Sequence, residues 1–291
     1  MLKIFDKPLR KSTSEKINFV GGVFQDICDM VENDPDIEDG DHKVDVFDMT
    51  AGAGHYDNVI DGSTISVIAM AKNFPSIQFN MTFFESNPRI ADELKENLSF
   101  IRIPRNVKFK IVKRKYEPTL QRMIKEGFKT HTFICIDPCK VTLPTFDEVV
   151  KLGKTISKSK YWVFAFVSKQ TAHIHRPVLA RNLCPNAPKQ IFGATKEPVL
   201  LARKHIGDHL PTRLIKLWFT RIKHALVKMP KVGVLGPIPF GSGIQRYHGI
   251  VISNEIDWDT DPGHFIMDMA EWTYNKEDLK SRLEEFETLN S

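Results

Sequence analysis

The sequence has few cysteines, no long apolar run and no leader-like start. Among its 291 residues there are four cysteines with no C-x-x-C pair, which argues against a disulfide framework and a zinc site. No apolar stretch approaches the roughly 20 residues that a bilayer span requires. The first residues also lack the pattern of a signal peptide. We therefore expect a cytoplasmic protein with reduced thiols and no membrane partner.

Charge is distributed unevenly along the chain. Residues 169–231 contain 13 lysines and arginines against two acidic residues, whereas residues 255–287 contain 11 acidic residues against three basic ones. A basic block of this kind suits a polyanionic partner, most often nucleic acid. The alternative is a solvated basic face, or one that docks on the acidic segment.

Hydrophobic periodicity predicts alternating strands and helices in the first part of the chain. A capping box at Ser12 and Glu15 indicates a first amphipathic helix that ends near Asn33. Strands are predicted at residues 44–48, 79–84, 107–112, 132–136 and 161–167, and further helices at 62–72, 88–98, 118–126 and 145–156. This rhythm is typical of an α/β fold, a mostly parallel, Rossmann-like sheet with helices on both faces.

The second part of the chain has a different pattern. Residues 170–198 are predicted to be irregular, and residues 209–229 to form a long basic helix. Segments 231–235 and 247–252 then predict a closing antiparallel β-hairpin. We expect three parts: a Rossmann core (1–168), a basic helical insertion (169–230), and a hairpin with an acidic segment that completes the core (231–291).

A glycine turn follows the first predicted strand. Asp48 to Gly54 reads DMTAGAG, with Gly52 and Gly54 where backbone must pass close to a nucleoside. The next strand ends at Glu85, whose carboxylate can accept hydrogen bonds from a ribose diol. The spacing of 33 residues from Gly52 to Glu85 exceeds the usual value of about 20, which indicates an extra excursion at residues 56–61. The alternative is an ordinary strand-to-helix turn followed by a surface glutamate.

Four segments in this order resemble the three-Cys-motif partner proteins, a methyltransferase-like family. They are VFDMTAGAG at 46–54, GS at 62–63, FESNP at 84–88 and IDP at 136–138. The resemblance implies a class I methyltransferase fold that binds S-adenosylmethionine. It also implies that Glu85 holds the ribose hydroxyls and that the turn lines the cofactor through Asp48, Thr50, Ala51, Gly52 and Gly54. The chain departs from the family at Thr50, at Cys139 and in the basic residues 113–115.

Asp137 and Pro138 follow the fourth strand. Amino-methyltransferases place an acidic or amide residue here, followed by Pro-Pro-aromatic, to hold the target amine. Asp137 is thus the candidate catalytic residue, able to orient or deprotonate a methyl acceptor. This sequence lacks the aromatic residue that would grip a flipped base. The alternative is a turn in which Asp137 caps the following loop.

The basic segment supplies the candidate nucleic-acid contacts. Trp218 could stack on a base, but its spacing to Leu214 and Leu217 favours the apolar stripe of the helix. The cations expected to hold phosphates are Arg203, Lys204, Arg213, Lys216, Arg221 and Lys223.

Other reactive side chains have ordinary explanations. His173, His175, His205 and His209 invite a metal site, but no carboxylate or cysteine completes either pair, so we predict none. Cys139 has no histidine nearby in sequence to activate it. Ser242 lies between two glycines and is best explained as part of a hairpin turn.

Two hypotheses about function follow. The first is an S-adenosylmethionine-dependent methyltransferase that acts on nucleic acid. The second is a non-catalytic partner protein that keeps the fold and binds nucleic acid or another protein. The missing aromatic after Pro138 and the basic residues 113–115, where such folds often carry an acid beside the adenine, favour the second. An enzyme that uses another group donor in the same pocket is a third.

Overall fold

The helices and strands follow the predicted alternation. A computed structural model describes residues 11–37, 42–56, 60–137, 144–170, 187–193, 210–226, 228–229, 231–240 and 247–254. The helices are α1 (Lys11–Glu32), α2 (Ser63–Ala71), α3 (Pro88–Ser99), α4 (Glu117–Glu126), α5 (Phe146–Ile156), α6 (Ala187–Phe192) and α7 (Leu210–Leu226). The strands are β1 (Lys43–Asp48), β2 (His55–Tyr56), β3 (Ile60–Asp61), β4 (Gln78–Phe84), β5 (Val107–Val112), β6 (His131–Ile136), β7 (Val163–Gln170), β8 (Gly233–Phe240) and β9 (Tyr247–Ser253).

Seven of these strands form one sheet in the order β5-β4-β1-β6-β7-β9-β8. The first five are parallel, and β9 is antiparallel to both β7 and β8. Numbered within the sheet, the order is 3-2-1-4-5-7-6. The predicted fold is confirmed: a mostly parallel, Rossmann-like sheet with helices on both faces that ends in an antiparallel hairpin.

Two apolar cores lie on opposite faces of the sheet. On one face α1 and α2 pack against each other, and the core includes Phe24, Phe79 and Phe166. On the other face α4, α5, α6 and α7 pack around Ile134 and Trp218. The interior strand β7 is buried from Val163 to Lys169, and its first five residues are all apolar rather than alternating because both faces of the strand are covered.

The path of the chain creates a crevice beside β1. After β1 the chain forms β4 and β5 on one side and then returns to form β6 and β7 on the other. In open α/β sheets, ligands bind outside the carboxyl ends of the strands where the order reverses in this way. That point lies between β1 and β6, so it brings together the segments that follow Asp48 and Ile136.

Some local predictions were wrong. Helix α1 already includes Lys11, so Ser12 lies inside the helix and is not its N-cap. Residues 170–198 were predicted to be irregular, but residues 187–192 form helix α6. Strand β7 continues to Gln170 because it pairs with β9 as far as Tyr247. Pairing with β9 likewise extends β8 to Phe240, five residues beyond the predicted end.

Candidate functional site

The glycine turn is held between the two strands that flank β1. Met49 N donates to Cys135 O in β6 at 2.9 Å, and Ala51 N donates to Phe84 O in β4 at 3.0 Å. Gly52 and Gly54 have φ values of 62° and 87°, which only glycine adopts without strain. The turn is therefore fixed at the crevice with backbone rather than side chains at its bend.

Asp48 organises this turn from the inside. Its carboxylate accepts hydrogen bonds from Thr50 N at 3.0 Å, Ser63 Oγ at 3.0 Å and Thr64 Oγ1 at 2.9 Å. The residue is only 4% exposed, and burial raises the pKa of its carboxyl above the ordinary value, against these hydrogen bonds. The hydrogen bonds that Asp48 accepts thus connect the turn to the start of α2.

The predicted excursion before the first crossover helix is a two-stranded antiparallel ribbon. Strands β2 and β3 pair with each other, and the ribbon is closed at its base by a hydrogen bond from Gly62 N to Gly54 O at 2.6 Å. A Cβ at Gly62 would lie 2.8 Å from that carbonyl oxygen. Glycine is therefore required at position 62, where the backbone of the turn meets the N-cap of α2.

Glu85 lies directly beside the turn, at the end of β4. Its backbone N donates to Val112 O at 3.2 Å, and its Oε1 accepts from Asn87 N at 2.7 Å. Within the described residues, no hydrogen bond uses Oε2. The half-buried carboxylate is thus oriented through one oxygen, and the other can accept a hydrogen bond from a ligand.

Asp137 lies on the opposite side of the turn. Its backbone N donates to Thr50 Oγ1 at 3.0 Å, which links the carboxyl end of β6 to the turn. One carboxylate oxygen accepts a hydrogen bond from Ser168 Oγ of β7, and the other pairs with the ammonium of Lys16 from α1. The structure therefore brings Asp137 next to the turn, while its carboxylate contacts Ser168 and Lys16.

The ion-pair partner of Asp137, Lys16, was not among the residues predicted from the sequence. Its side chain is 8% exposed, and its Nζ lies 4.2 Å from the centroid of the Tyr247 ring of β9 as well as in contact with Asp137. A signal was present, because Lys16 precedes Val20 and Phe24 at four-residue intervals and so falls on the buried stripe of α1. A cation on such a stripe requires a buried acidic partner.

Lys169 was predicted to begin the basic insertion, yet it is a buried residue of β7. It is 1% exposed and alternates with Ser168, so it lies on the face of the sheet that packs against α5 and α7. Burial lowers the pKa of Lys169 to about 7, while the carboxylate of Glu148 opposes that change. This lysine is therefore part of the core beside the site and not a solvated cation.

Only four of the six residues predicted to contact nucleic acid lie within the part of the chain that the structure describes. Arg203 and Lys204 lie outside the described residues, and Arg213 and Lys216 belong to α7. Arg221 is half-buried, with its guanidinium carbon 5.7 Å from the Phe146 ring, and Lys223 is exposed. Interaction with nucleic acid stays a prediction for all six.

The apolar interpretation of Trp218 is confirmed, since its side chain is fully buried with Leu214 on the core face of α7. Cys135 is also buried in its strand, and burial raises the pKa of its thiol. His173, His175, His205, His209, Cys139 and Ser242 lie outside the described residues. In the described part of the chain, no three potential ligands form a metal cluster, and no helix combines the length and apolarity needed to cross a membrane.

Comparison with known proteins gives matches among solved structures alone. No protein family model and no curated protein matches the chain. The chain is similar to Trm1 from Pyrococcus horikoshii in complex with S-adenosyl-L-methionine, at 13% identity and a TM-score of 0.44, over 85% of this chain and 56% of Trm1. It therefore spans little more than half the length of that protein.

Two further similar structures are close to this chain in length. One is a protein from Legionella pneumophila, at 13% identity and a TM-score of 0.44, over 88% of this chain and 90% of the other. The second is an O-methyltransferase from Bacillus cereus in complex with SAH, at 13% identity and a TM-score of 0.39, over 84% and 91%. The function of this chain therefore has to be inferred from its own residues.

Proposed function

We propose that the protein binds S-adenosylmethionine at the crevice between β1 and β6 and transfers a methyl group to a nucleic-acid acceptor. The observation that carries this proposal is the juxtaposition of three elements at one crevice. The positive-φ glycine turn lies between Glu85 on one side and Asp137 on the other, and hydrogen bonds join it to both neighbouring strands.

The residues present fit such a cofactor. The partly exposed bend at Gly52 lets backbone approach a ligand closely, and Oε2 of Glu85 can accept a hydrogen bond from a ribose hydroxyl. When bound, the sulfonium supplies an activated methyl group. Asp137 would orient the acceptor and receive its proton, because the residue is 26% exposed at the far side of the turn.

Calorimetric titration with S-adenosylmethionine and S-adenosylhomocysteine tests the cofactor site. We expect micromolar binding to the wild type, and loss of binding in Glu85→Ala and in Gly52→Val. Glu126→Ala serves as a matched control. This exposed glutamate is the last residue of α4, which leads into the amino end of β6, away from the crevice at the carboxyl ends of the strands. Circular dichroism must show that each variant is folded. Wild-type protein that does not bind at millimolar ligand contradicts the proposal.

Methyl transfer is a separate test. Labelled cofactor, with DNA and RNA as acceptors, should give turnover in the wild type that falls at least tenfold in Asp137→Ala. Micromolar cofactor binding without transfer to any nucleic acid would support the cofactor site and contradict the catalytic part of the proposal.

The second candidate is a non-catalytic partner protein related to the three-Cys-motif partner family. One observation favours it: both carboxylate oxygens of Asp137 already accept hydrogen bonds from Lys16 and Ser168. A partner protein should lose nucleic acid when Arg213, Lys216, Arg221 and Lys223 are changed to glutamine, whatever happens at Glu85. Retention of nucleic acid in that variant would contradict a partner protein that binds through the basic helix.

A further inference from the structure

The outer edge of the sheet carries a second concentration of positive charge, far in sequence from the basic segment. Between Glu96 and Glu117 there are seven lysines and arginines and no acidic residue. Six of them are defined as the β5 basic edge, all with exposed side chains: Arg102, Arg105, Lys108, Lys110, Arg114 and Lys115.

The geometry of β5 places two of these charges on one face of the strand. It is an edge strand, because it pairs with β4 and is the terminal strand of the sheet. Lys108 and Lys110 alternate with Phe109 and so share one face, where their neighbours on β4 are the uncharged Asn80 and Thr82. Six residues of strand extend about 20 Å, and the other four cations lie in the loops at its two ends.

These charges are not neutralised locally. The seventh cation of the segment, Lys113, pairs with Asp92 of α3. In the described part of the chain, no ion pair engages any member of the β5 basic edge. The β5 basic edge therefore presents exposed positive charges without an acidic partner among the described residues, and such a surface attracts a polyanion.

Exposed aromatic rings lie close to the cations along the chain, and Phe109 occupies the face of β5 opposite to Lys108 and Lys110. Among the described residues, the large apolar side chains that are exposed are Phe100, at 78%, and Phe109, at 38%. Phe109 has its inner side against Phe83, with ring centroids 6.1 Å apart, which leaves its outer side open. Aromatic rings beside a basic groove are the platforms on which the bases of single strands stack.

Protection of an edge strand explains only part of this pattern. Lysines on an edge strand prevent pairing with another sheet, which is a sufficient reason for Lys108 and Lys110. It does not explain the cations in the flanking loops. It also does not explain Phe100, since an exposed aromatic ring favours association rather than preventing it.

We propose that the β5 basic edge binds single-stranded nucleic acid, with its cations on the phosphates and with Phe100 and Phe109 stacking on bases. The edge leads to the crevice, because Arg114 N and Glu85 N both donate to the carbonyl of Val112, at 2.9 Å and 3.2 Å. This inference deepens the proposed function by assigning a surface to its nucleic-acid partner, and it does not depend on the cofactor.

Fluorescence anisotropy with labelled 20-nucleotide oligo-dT and oligo-U, without cofactor and over a range of salt concentrations, tests the proposal. The test variant changes Arg102, Arg105, Lys108 and Lys110 to glutamine. Four exposed lysines of α4, α5 and the turn after α5 provide a charge-matched control, also changed to glutamine: Lys125, Lys151, Lys154 and Lys158.

We expect the test variant to bind at least tenfold more weakly at low salt. The slope of log affinity against log salt should shrink by about 0.7 for each phosphate that the variant no longer neutralises. The control variant should retain both the affinity and the slope of the wild type. An unchanged slope in the test variant, or equal reductions in the two variants, would overturn the proposal.

A second pair of variants tests the role of the rings. Phe100→Ser with Phe109→Ser should reduce binding of single strands at least fivefold and leave the weaker binding of a 20-base-pair duplex unchanged. Two results together would contradict single-strand recognition: poly-glutamate of equal charge displaces oligo-dT, and the two serine substitutions have no effect. They would show that the surface binds any polyanion. Failure of cofactor binding in calorimetry would leave all these results unaffected.

Discussion

Two aspartates lie at the carboxyl ends of neighbouring parallel strands at the same crevice, and their surroundings differ. Asp48 is buried and accepts three hydrogen bonds from the turn and from α2, all within 16 residues of sequence. Asp137 is 26% exposed and takes its partners from α1 and β7, which are 121 and 31 residues away. Asp48 thus stabilises the shape of the site, whereas Asp137 is the carboxylate that a ligand can reach.

The largest effect is expected at Asp48. Asp48→Ala removes the acceptor of Thr50 N, Ser63 Oγ and Thr64 Oγ1, and each buried donor left unpaired costs about 1 to 3 kcal/mol. We expect the free energy of unfolding to fall by about 3 kcal/mol, measured by urea denaturation. Asp45→Ala on the same strand removes an exposed acceptor of Asn80 and should cost less than about 0.5 kcal/mol. Equal losses would remove the distinction between a buried and an exposed carboxylate.

The next effect concerns the partner of Asp137. Lys16→Met removes a cation from a buried position, and breaking a fully buried pair costs about 3 to 5 kcal/mol. Because Asp137 is partly exposed, we expect a smaller loss of about 2 kcal/mol. The double variant Lys16→Met with Asp137→Asn should recover part of it, which a double-mutant cycle measures. Strictly additive losses would contradict a direct interaction.

A smaller effect is expected at the base of the ribbon. Gly62→Ala places a Cβ 2.8 Å from the carbonyl oxygen of Gly54, and such overpacking costs about 1 to 2 kcal/mol. Gly22→Ala in α1 is the matched control, because a Cβ there meets nothing within 4 Å. Alanine inside a helix should stabilise the protein by about 0.5 kcal/mol. Thermal unfolding would contradict this account if both variants changed stability in the same direction.

The last prediction concerns pH and the region near Asp137. Burial lowers the pKa of Lys169 to about 7, whereas an exposed lysine titrates near 10.4. Between these values the unfolded chain binds a proton that the folded protein lacks. Stability should therefore rise with pH from about 7 towards 10, by at most about 1.4 kcal/mol per unit, and Lys169 should contribute no slope below 7.

Denaturant unfolding of the wild type and Lys169→Met at several values between pH 7.5 and 9.5 measures this contribution. The slope of unfolding free energy against pH should be smaller in the variant. Lys43→Met, at an exposed lysine of β1, should retain the wild-type slope. Parallel curves for the wild type and Lys169→Met would show that Lys169 keeps its proton in the folded protein.

Local sequence determined the elements that depend on short-range chemistry. Three features depend on local sequence alone: the glycine turn, the ribbon before α2 and the alternation of strands and helices. The backbone freedom of glycine and the period of the hydrophobic residues are both set by residues that are close together along the chain. The position of Glu85 beside the turn follows from the same logic, because consecutive parallel strands end at one edge of a sheet.

Only the tertiary structure decided which charges are buried and which are exposed. Lys16 and Asp137 are paired because α1 packs across β6 and β7, and Lys169 is buried because β9 and β7 extend their pairing past the apolar run. The edge position of β5 likewise follows from strand order, which no local pattern specifies. Apart from the helical spacing that places Lys16 on the apolar stripe of α1, these residues show no sign of burial in their own sequence neighbourhood, since burial depends on elements that are distant along the chain.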